Sequence, residues 1–122
     1  MQVLEFSKGS GSAVGLSLAA DSADAFAQQL REVKAALLDW RAKHGDRCEM
    51  VMLTVASPRQ HHPSIEALIE QVYHDETVLA PLLQSVSVQV ALLNEQGRPD
   101  REYILGKSGK QQVDSKPWWR FW

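Results

Sequence analysis

The sequence has little of the features that mark several specialised classes of protein. It holds one cysteine, Cys48, so no disulfide can form within the chain and folding does not depend on oxidation. It contains no stretch of about 18 consecutive apolar residues, the length that a membrane-spanning helix requires. Residues 1–6 resemble a strand and lack the basic-then-apolar pattern of a secretory signal. We therefore expect a cytoplasmic protein without a transmembrane segment.

Motifs for metals, cofactors and catalysis are equally scarce. His61 and His62 are adjacent, and the side chains of consecutive residues diverge in most backbone conformations, so such pairs seldom share a metal. No paired carboxylates stand out for acid–base chemistry, and no cofactor motif accompanies the histidines. We expect a non-enzymatic protein with no catalytic residues, no metal and no cofactor.

The composition that is present is that of a small globular domain with a distinct C-terminal tail. The chain has 122 residues, of which 44% are hydrophobic and 23% charged. Its net charge of −2 is uneven, because residues 98–122 hold six Lys/Arg against three acidic residues. This excess is well short of a dedicated nucleic-acid binder. We predict a single domain over 1–106 and a flexible basic and aromatic tail over 107–122.

The first helix is the clearest helical pattern in the chain. Asp21 or Ser22 can cap its start, and Gly45 marks its end, which predicts a helix over 22–44. One face of it carries apolar residues at helical spacing: Phe26, Leu30, Val33, Leu37 and Trp40. A second helix is predicted to begin with Ser64 as its cap, to break near 75–77 and to be followed by a short helix or turn to about residue 84.

Apolar alternation and turn residues predict the strands. Strands are expected at 2–7 and 14–18, joined by a glycine turn, and again at 86–92 and 101–105. The nearly continuous apolar run at 48–56 is typical of a central strand that is covered on both faces.

These elements predict an α/β or α+β fold in the order ββ-α-β-α-ββ. If both strand–helix–strand crossovers wind in the same direction, both main helices cover one face of the sheet. The expected architecture is a two-layer sandwich with a mixed sheet of about five strands and an aromatic C-terminal tail.

The loop after the predicted central strand is one candidate binding site. Ligands in sheets with parallel crossovers sit beyond the carboxyl ends of strands, where a helix N-terminus offers free N–H groups. Arg59 would add a bidentate donor for a carboxylate or phosphate. The alternative anion-binding site consists of Ser57, Arg59, His61, His62 and Ser64. The same residues also fit an ordinary solvated loop.

The C-terminal tail is the other candidate site. Its last five residues hold three of the four tryptophans of the chain. We predict a docking element made of Trp118, Trp119, Arg120, Phe121 and Trp122. So much apolar surface requires a cover. That cover is the open face of its own sheet, a protein partner or second copy, a membrane surface, or single-stranded nucleic acid, to which the tail would bind weakly.

The leading hypothesis from the sequence is a non-enzymatic interaction module, such as an adaptor, an assembly factor or a regulatory subunit. Its body is expected to self-associate as a homodimer, and its aromatic tail to dock on a protein partner. The first alternative is a small anion-binding domain or enzyme at Arg59, His61 and His62. The second is weak single-stranded nucleic-acid binding by the tail. Membrane contact through the tail is expected to be too weak for anchoring.

Overall fold

The computed structural model describes residues 1–9, 11–75, 79–106 and 109–112 of the chain. The helices and strands within these ranges are, in chain order, β1 (Gln2–Lys8), β2 (Gly11–Ala19), α1 (Ala23–His44), β3 (Cys48–Ala56), α2 (His62–Asp75), α3 (Ala80–Ser85), β4 (Ser87–Leu93), β5 (Pro99–Gly106) and β6 (Gly109–Gln112). The fold predicted from the sequence is confirmed: a mixed sheet with two main helices, arranged as a two-layer sandwich.

Helix α1 begins and ends at the signals in the sequence. Ser22 is extended, and its Oγ accepts a hydrogen bond from the N–H of Ala25 at 3.1 Å, which satisfies one of the free donors of the first turn. Gly45 ends the helix with a φ of 56°, a conformation that costs glycine little, and its N–H bonds to the carbonyl of Arg41.

Helix α2 begins at His62, two residues before the residue that the sequence predicts as its cap. Residues 59–61 form a 3₁₀ turn that leads directly into the helix at His62, so Ser64 lies in the first turn and is exposed. The prediction that Ser64 caps this helix is therefore wrong. Pro63 fits the first turn because that position needs no N–H donor and already has the φ that a helix requires.

The strands lie in the sheet in the same order as in the chain, β1-β2-β3-β4-β5-β6. The central pairs β2–β3 and β3–β4 are parallel, whereas β1–β2, β4–β5 and β5–β6 are antiparallel. Each parallel pair is joined by a helical crossover, first α1 and then α2 with α3. Both crossovers pack on the same face, which forms the core between the helices and the sheet.

The two faces of the sheet differ in burial. Val51, Leu53 and Val55 of β3 face the helices and are buried, whereas Met50 and Met52 point to the other side and are half-buried. We call that other side the open face. Helices cover one face of this strand in the described residues. The cover expected on its other face, by the tail or a second subunit, stays a prediction.

Strand β1 presents apolar side chains to the open face. Glu5 faces the helix layer, where its carboxylate lies 3.5 Å from Lys43 Nζ on α1. Because strand side chains alternate, Leu4 and Phe6 point the opposite way, and they are 51% and 50% exposed. A Cβ built on Gly15 would lie 3.7 Å from the Phe6 ring and 4.0 Å from Met52 Cε, so these two side chains flank Gly15 on the open face.

The sheet extends into the segment that the sequence assigns to the tail. Gly109–Gln112 forms β6 and pairs antiparallel with β5, from Gly106↔Gly109 to Tyr103↔Gln112. The sheet therefore has a sixth strand beyond the five expected, at the edge opposite β1. Polar composition hides this strand in the sequence, because a short edge strand needs backbone partners and no apolar face.

A buried hydrogen bond joins α1 to the start of the sheet. Trp40 is fully buried, and its indole Nε1–H donates to Ser12 Oγ at 2.8 Å. Ser12 is itself only 3% exposed and lies on β2, whose register against β3 shifts between Ser12 and Ala13. The serine therefore satisfies the polar atom of the largest side chain in the core.

Replacing Ser12 should test this contact. In Ser12→Ala the indole N–H of Trp40 stays buried without an acceptor, so we expect a loss of about 1–3 kcal/mol in the free energy of unfolding. Urea denaturation measures this loss. Ser17→Ala, an exposed position on the same strand, is the matched control and should change stability little. Equal stability of the two variants would contradict this role for Ser12.

Candidate functional site

His62 ties the carboxyl ends of β3 and β4 to the start of α2. Its side chain is 5% exposed, and Nε2 lies 2.9 Å from the carbonyl oxygen of Ser57 and 3.0 Å from that of Leu93. Because both neighbours are acceptors, Nε2 carries the hydrogen and donates to them. The Ser57 N–H also bonds to the Leu93 carbonyl at 3.0 Å. His62 therefore holds the fold together at this end of the sheet.

Arg59 is occupied by a carboxylate from the neighbouring strand. Its Nε donates to Asp100 Oδ2 at 2.6 Å and its second nitrogen to Oδ1 at 3.1 Å, a bidentate pair. The side chain of Arg59 is 71% exposed and that of Asp100 only 21%. An anion that binds Arg59 must displace this carboxylate.

Asn94 completes the cluster and orders the turn between β4 and β5. Its Nδ2 donates to Asp100 Oδ1 at 2.9 Å, and its Oδ1 accepts from the N–H groups of Gln96 and Arg98. Gly97 has a φ of 75°, which this turn requires. The Asn-Glu-Gln-Gly spacing signals the turn in the sequence, but nothing there indicates that it meets Arg59.

The Arg59–Asp100 pair favours the charged form of both groups. The hydrogen bonds from Arg59, and then the one from Asn94, hold the pKa of Asp100 below its usual value against the opposing effect of burial. The same pair raises the pKa of Arg59. The cluster therefore carries a neutralised ion pair rather than a free positive charge.

The structure brings together only part of the predicted anion site. Ser57 is 4% exposed and its hydroxyl has no hydrogen-bond partner within the described part of the chain. His61 is half-buried with Gln60 Nε2 at 3.4 Å from its Nε2, and Ser64 is exposed. An open cleft of about 250 Å³ lies beside Arg59, and Glu95 on its wall opposes an anion.

A second ion pair links α2 to β5. A terminal nitrogen of Arg101 donates to Glu66 Oε1 at 2.9 Å, and its Nε forms an ion-pair contact with Oε2. The Glu66 side chain is only 11% exposed. The guanidinium carbon of Arg101 also lies 5.9 Å from the ring centre of Tyr103, a cation–π distance. Burial, and next the charge of Glu70, raise the pKa of Tyr103. Sequence reasoning missed this group because its members are far apart in the chain.

Cys48 is a buried thiol at the start of β3. It is 7% exposed, and its Sγ lies 3.9 Å from the carbonyl oxygen of Trp40. Burial raises the pKa of this thiol, which disfavours the reactive thiolate. Its role in the described structure is packing.

The open face carries apolar side chains that no helix covers in the described ranges. A recess in it lies over β3, β4 and β5 and is lined by side chains of both characters: Met52, Thr54, Gln89, Ala91, Glu102 and Ile104. Leu4 and Phe6 continue it toward β1. The predicted docking residues Trp118, Trp119, Arg120, Phe121 and Trp122 lie outside the described residues.

Two further features of the described ranges bear on the type of site. No helix there is long and apolar enough to cross a membrane. Within the same ranges, no group of three or more His, Cys, Asp or Glu side chains is arranged to hold a metal ion.

Comparisons of the chain with protein-family models, with curated proteins and with solved structures found no match.

Acid titration should reveal the Arg59–Asp100 pair. The folded pKa of Asp100 is lowered, so its stabilising effect is present above the unfolded value of about 4 and is lost as pH falls through the folded pKa. The Tm gap between wild type and Asp100→Asn should therefore be largest near pH 7 and close below about pH 4. Asp21→Asn, in an exposed turn, is the control. A gap that is independent of pH would contradict the pairing.

Anion binding at Arg59 is directly measurable by thermal melting. Because Asp100 already occupies the guanidinium, we expect millimolar phosphate to leave the Tm unchanged in both wild type and Arg59→Ala. Arg98→Ala, an exposed arginine in the adjacent turn, is the control. A rise in Tm that Arg59→Ala abolishes and Arg98→Ala preserves would establish the anion-binding alternative.

Proposed function

We propose that the protein is a non-enzymatic interaction module, an adaptor, assembly or regulatory subunit, whose C-terminal aromatic segment docks on a protein partner. The segment consists of Trp118, Trp119, Arg120, Phe121 and Trp122. The observation that carries the proposal is a difference between the polar and the apolar side chains of the described domain. Its polar clusters hold the fold together, and Leu4 and Phe6 leave apolar side chains half-exposed on the open face.

The polar loop after β3 offers few free groups for chemistry. His62 donates to two backbone carbonyls, and Arg59 is paired with Asp100. A general base must be able to reach its substrate, and an anion receptor must keep a free positive charge. These contacts favour an interaction role over the enzyme or anion-binding alternative.

The chemistry of the C-terminal segment fits a protein interface. Trp and Arg are enriched among the residues that contribute most to binding. Trp buries a large area with few rotatable bonds, and the planar guanidinium of Arg offers several hydrogen-bond donors. The segment combines three tryptophans with one arginine. We propose a cytoplasmic location for this interaction and a partner with an apolar groove. Self-association as a homodimer is the second form of the proposal, which the half-exposed Leu4 and Phe6 on edge strand β1 favour.

The four aromatic residues should decide whether the segment binds a partner. We expect the quadruple variant Trp118→Ala, Trp119→Ala, Phe121→Ala, Trp122→Ala to lose binding by at least about tenfold, since single anchors of this type cost 2 kcal/mol or more. The partner is first captured from the source cells with wild type and then purified for titration against both chains. Unchanged affinity of the quadruple variant would contradict the docking role.

A separate variant is the control, and the alternatives are tested with wild type and the quadruple variant. Leu38→Glu, an exposed position on α1, should leave partner affinity unchanged. Light scattering measures the mass of wild type and quadruple variant. A dimer that only wild type forms would make the second copy the partner. Binding to single-stranded nucleic acid that falls steeply with salt would favour the nucleic-acid alternative instead.

A further inference from the structure

The described part of β6 ends at a point where helices cover one of the two faces of the sheet. Gln112 is the last residue of β6 and pairs with Tyr103, and the register continues at the same level through Val90, Leu53 and Leu16. These four partners point into the helix layer and are at most 6% exposed, so the helix layer already covers that side from β5 to β2. The level ends at Val3 of β1, which is 42% exposed on the same side. From β5 to β2, further apolar side chains can therefore be accepted only on the open face.

The apolar part of the open face begins next to this exit. Ile104 on β5 comes first, then the recess over β3 to β5, then Met52, and finally Phe6 beside Gly15. Little projects from the middle of the open face, because its residues there are small: Ala13, Gly15 and Ala91. The path from the β6 edge toward β1 thus has apolar side chains at Ile104, Met52 and Phe6, and its recess also holds the polar side chains of Thr54, Gln89 and Glu102.

The length of the remaining chain matches this path. Ten residues, 113–122, follow Gln112, and they reach roughly 33 Å when extended. The distance from β6 to β1 is five strand spacings, about 24 Å. Trp118 is six residues from Gln112, about 20 Å of chain, whereas β3 lies about 14 Å from β6. The aromatic residues can therefore lie over Met52 and beyond it.

We propose that residues 113–122 lie across the open face of their own sheet, so that the segment that docks on the partner is covered until the partner competes for it. The regulatory part rests on the proposed function, whereas the intramolecular contact does not. A partner would then bind only the fraction of molecules whose segment is free, and its apparent affinity would be reduced by that fraction. The open face would act as an internal competitor.

Charge placed on the open face should release the segment. Met52→Glu introduces a carboxylate at the centre of the path, and Leu38→Glu introduces the same charge on the exposed side of α1. The measurement is the rate of chymotryptic cleavage after Trp118 and Trp119, which tracks the open population when opening is fast. We expect cleavage to be about tenfold faster in Met52→Glu than in wild type and unchanged in Leu38→Glu.

Tryptophan fluorescence gives an independent measurement of the same contact. Trp40 is fully buried and so contributes a constant, poorly quenched background. The three tryptophans of the segment should become more accessible to acrylamide in Met52→Glu than in wild type or Leu38→Glu. If Met52→Glu fails to fold by circular dichroism, Phe6→Glu replaces it, because Phe6 is half-exposed and its loss leaves the helix-side core intact.

Every other outcome overturns the intramolecular contact. Equal, fast cleavage in all variants means that the segment does not lie on the sheet, and equal, slow cleavage means that something else covers it. Protection that grows with protein concentration, together with a dimeric mass, assigns the face to a second copy. These results leave the partner titration of the quadruple alanine variant untouched, so failure of this inference and failure of the proposed function are distinguishable.

Discussion

Both crossover helices lie on one side of the sheet, and the remaining architecture depends on this constraint. Two parallel connections of the same direction place α1 and α2 together, so the core forms on a single face. Val51, Leu53 and Val55 are buried there, while Met50 and Met52 on the same strand are not. One face of the sheet is therefore packed against helices, and no helix covers the other face in the described ranges.

The polar contacts of the domain serve this arrangement. His62 joins the ends of the two parallel strands to the start of α2, and the Trp40–Ser12 hydrogen bond joins the end of α1 to β2. Buried polar groups need such partners, because an unpaired one costs as much as several apolar contacts contribute. His62, a candidate site residue in the sequence, is thus used to position α2. The apolar side chains of the open face are therefore the other candidates for binding.

Periodicity predicted the elements well, because burial on one side imposes a repeat that the sequence must carry. Phe26, Val33, Leu37 and Trp40 face the core at helical spacing, and Ser22 and Gly45 bound α1 as expected. Ser64 misled because a 3₁₀ turn starts α2 earlier, and β6 was missed because an edge strand carries no apolar repeat. The Arg59–Asp100 pair was unpredictable: 41 residues separate its members, and only the folded sheet brings them together.

The sequential strand order has a consequence for how the chain is made. Every strand pairs with the strand that precedes it, so each newly synthesised segment finds its template already present. Domains fold from the N-terminus during synthesis, and pairing between chain neighbours lowers the entropy lost in closing loops. The sheet can therefore grow one strand at a time from the β1–β2 hairpin. The last strand in the described ranges, β6, has four residues and so makes this edge of the sheet short.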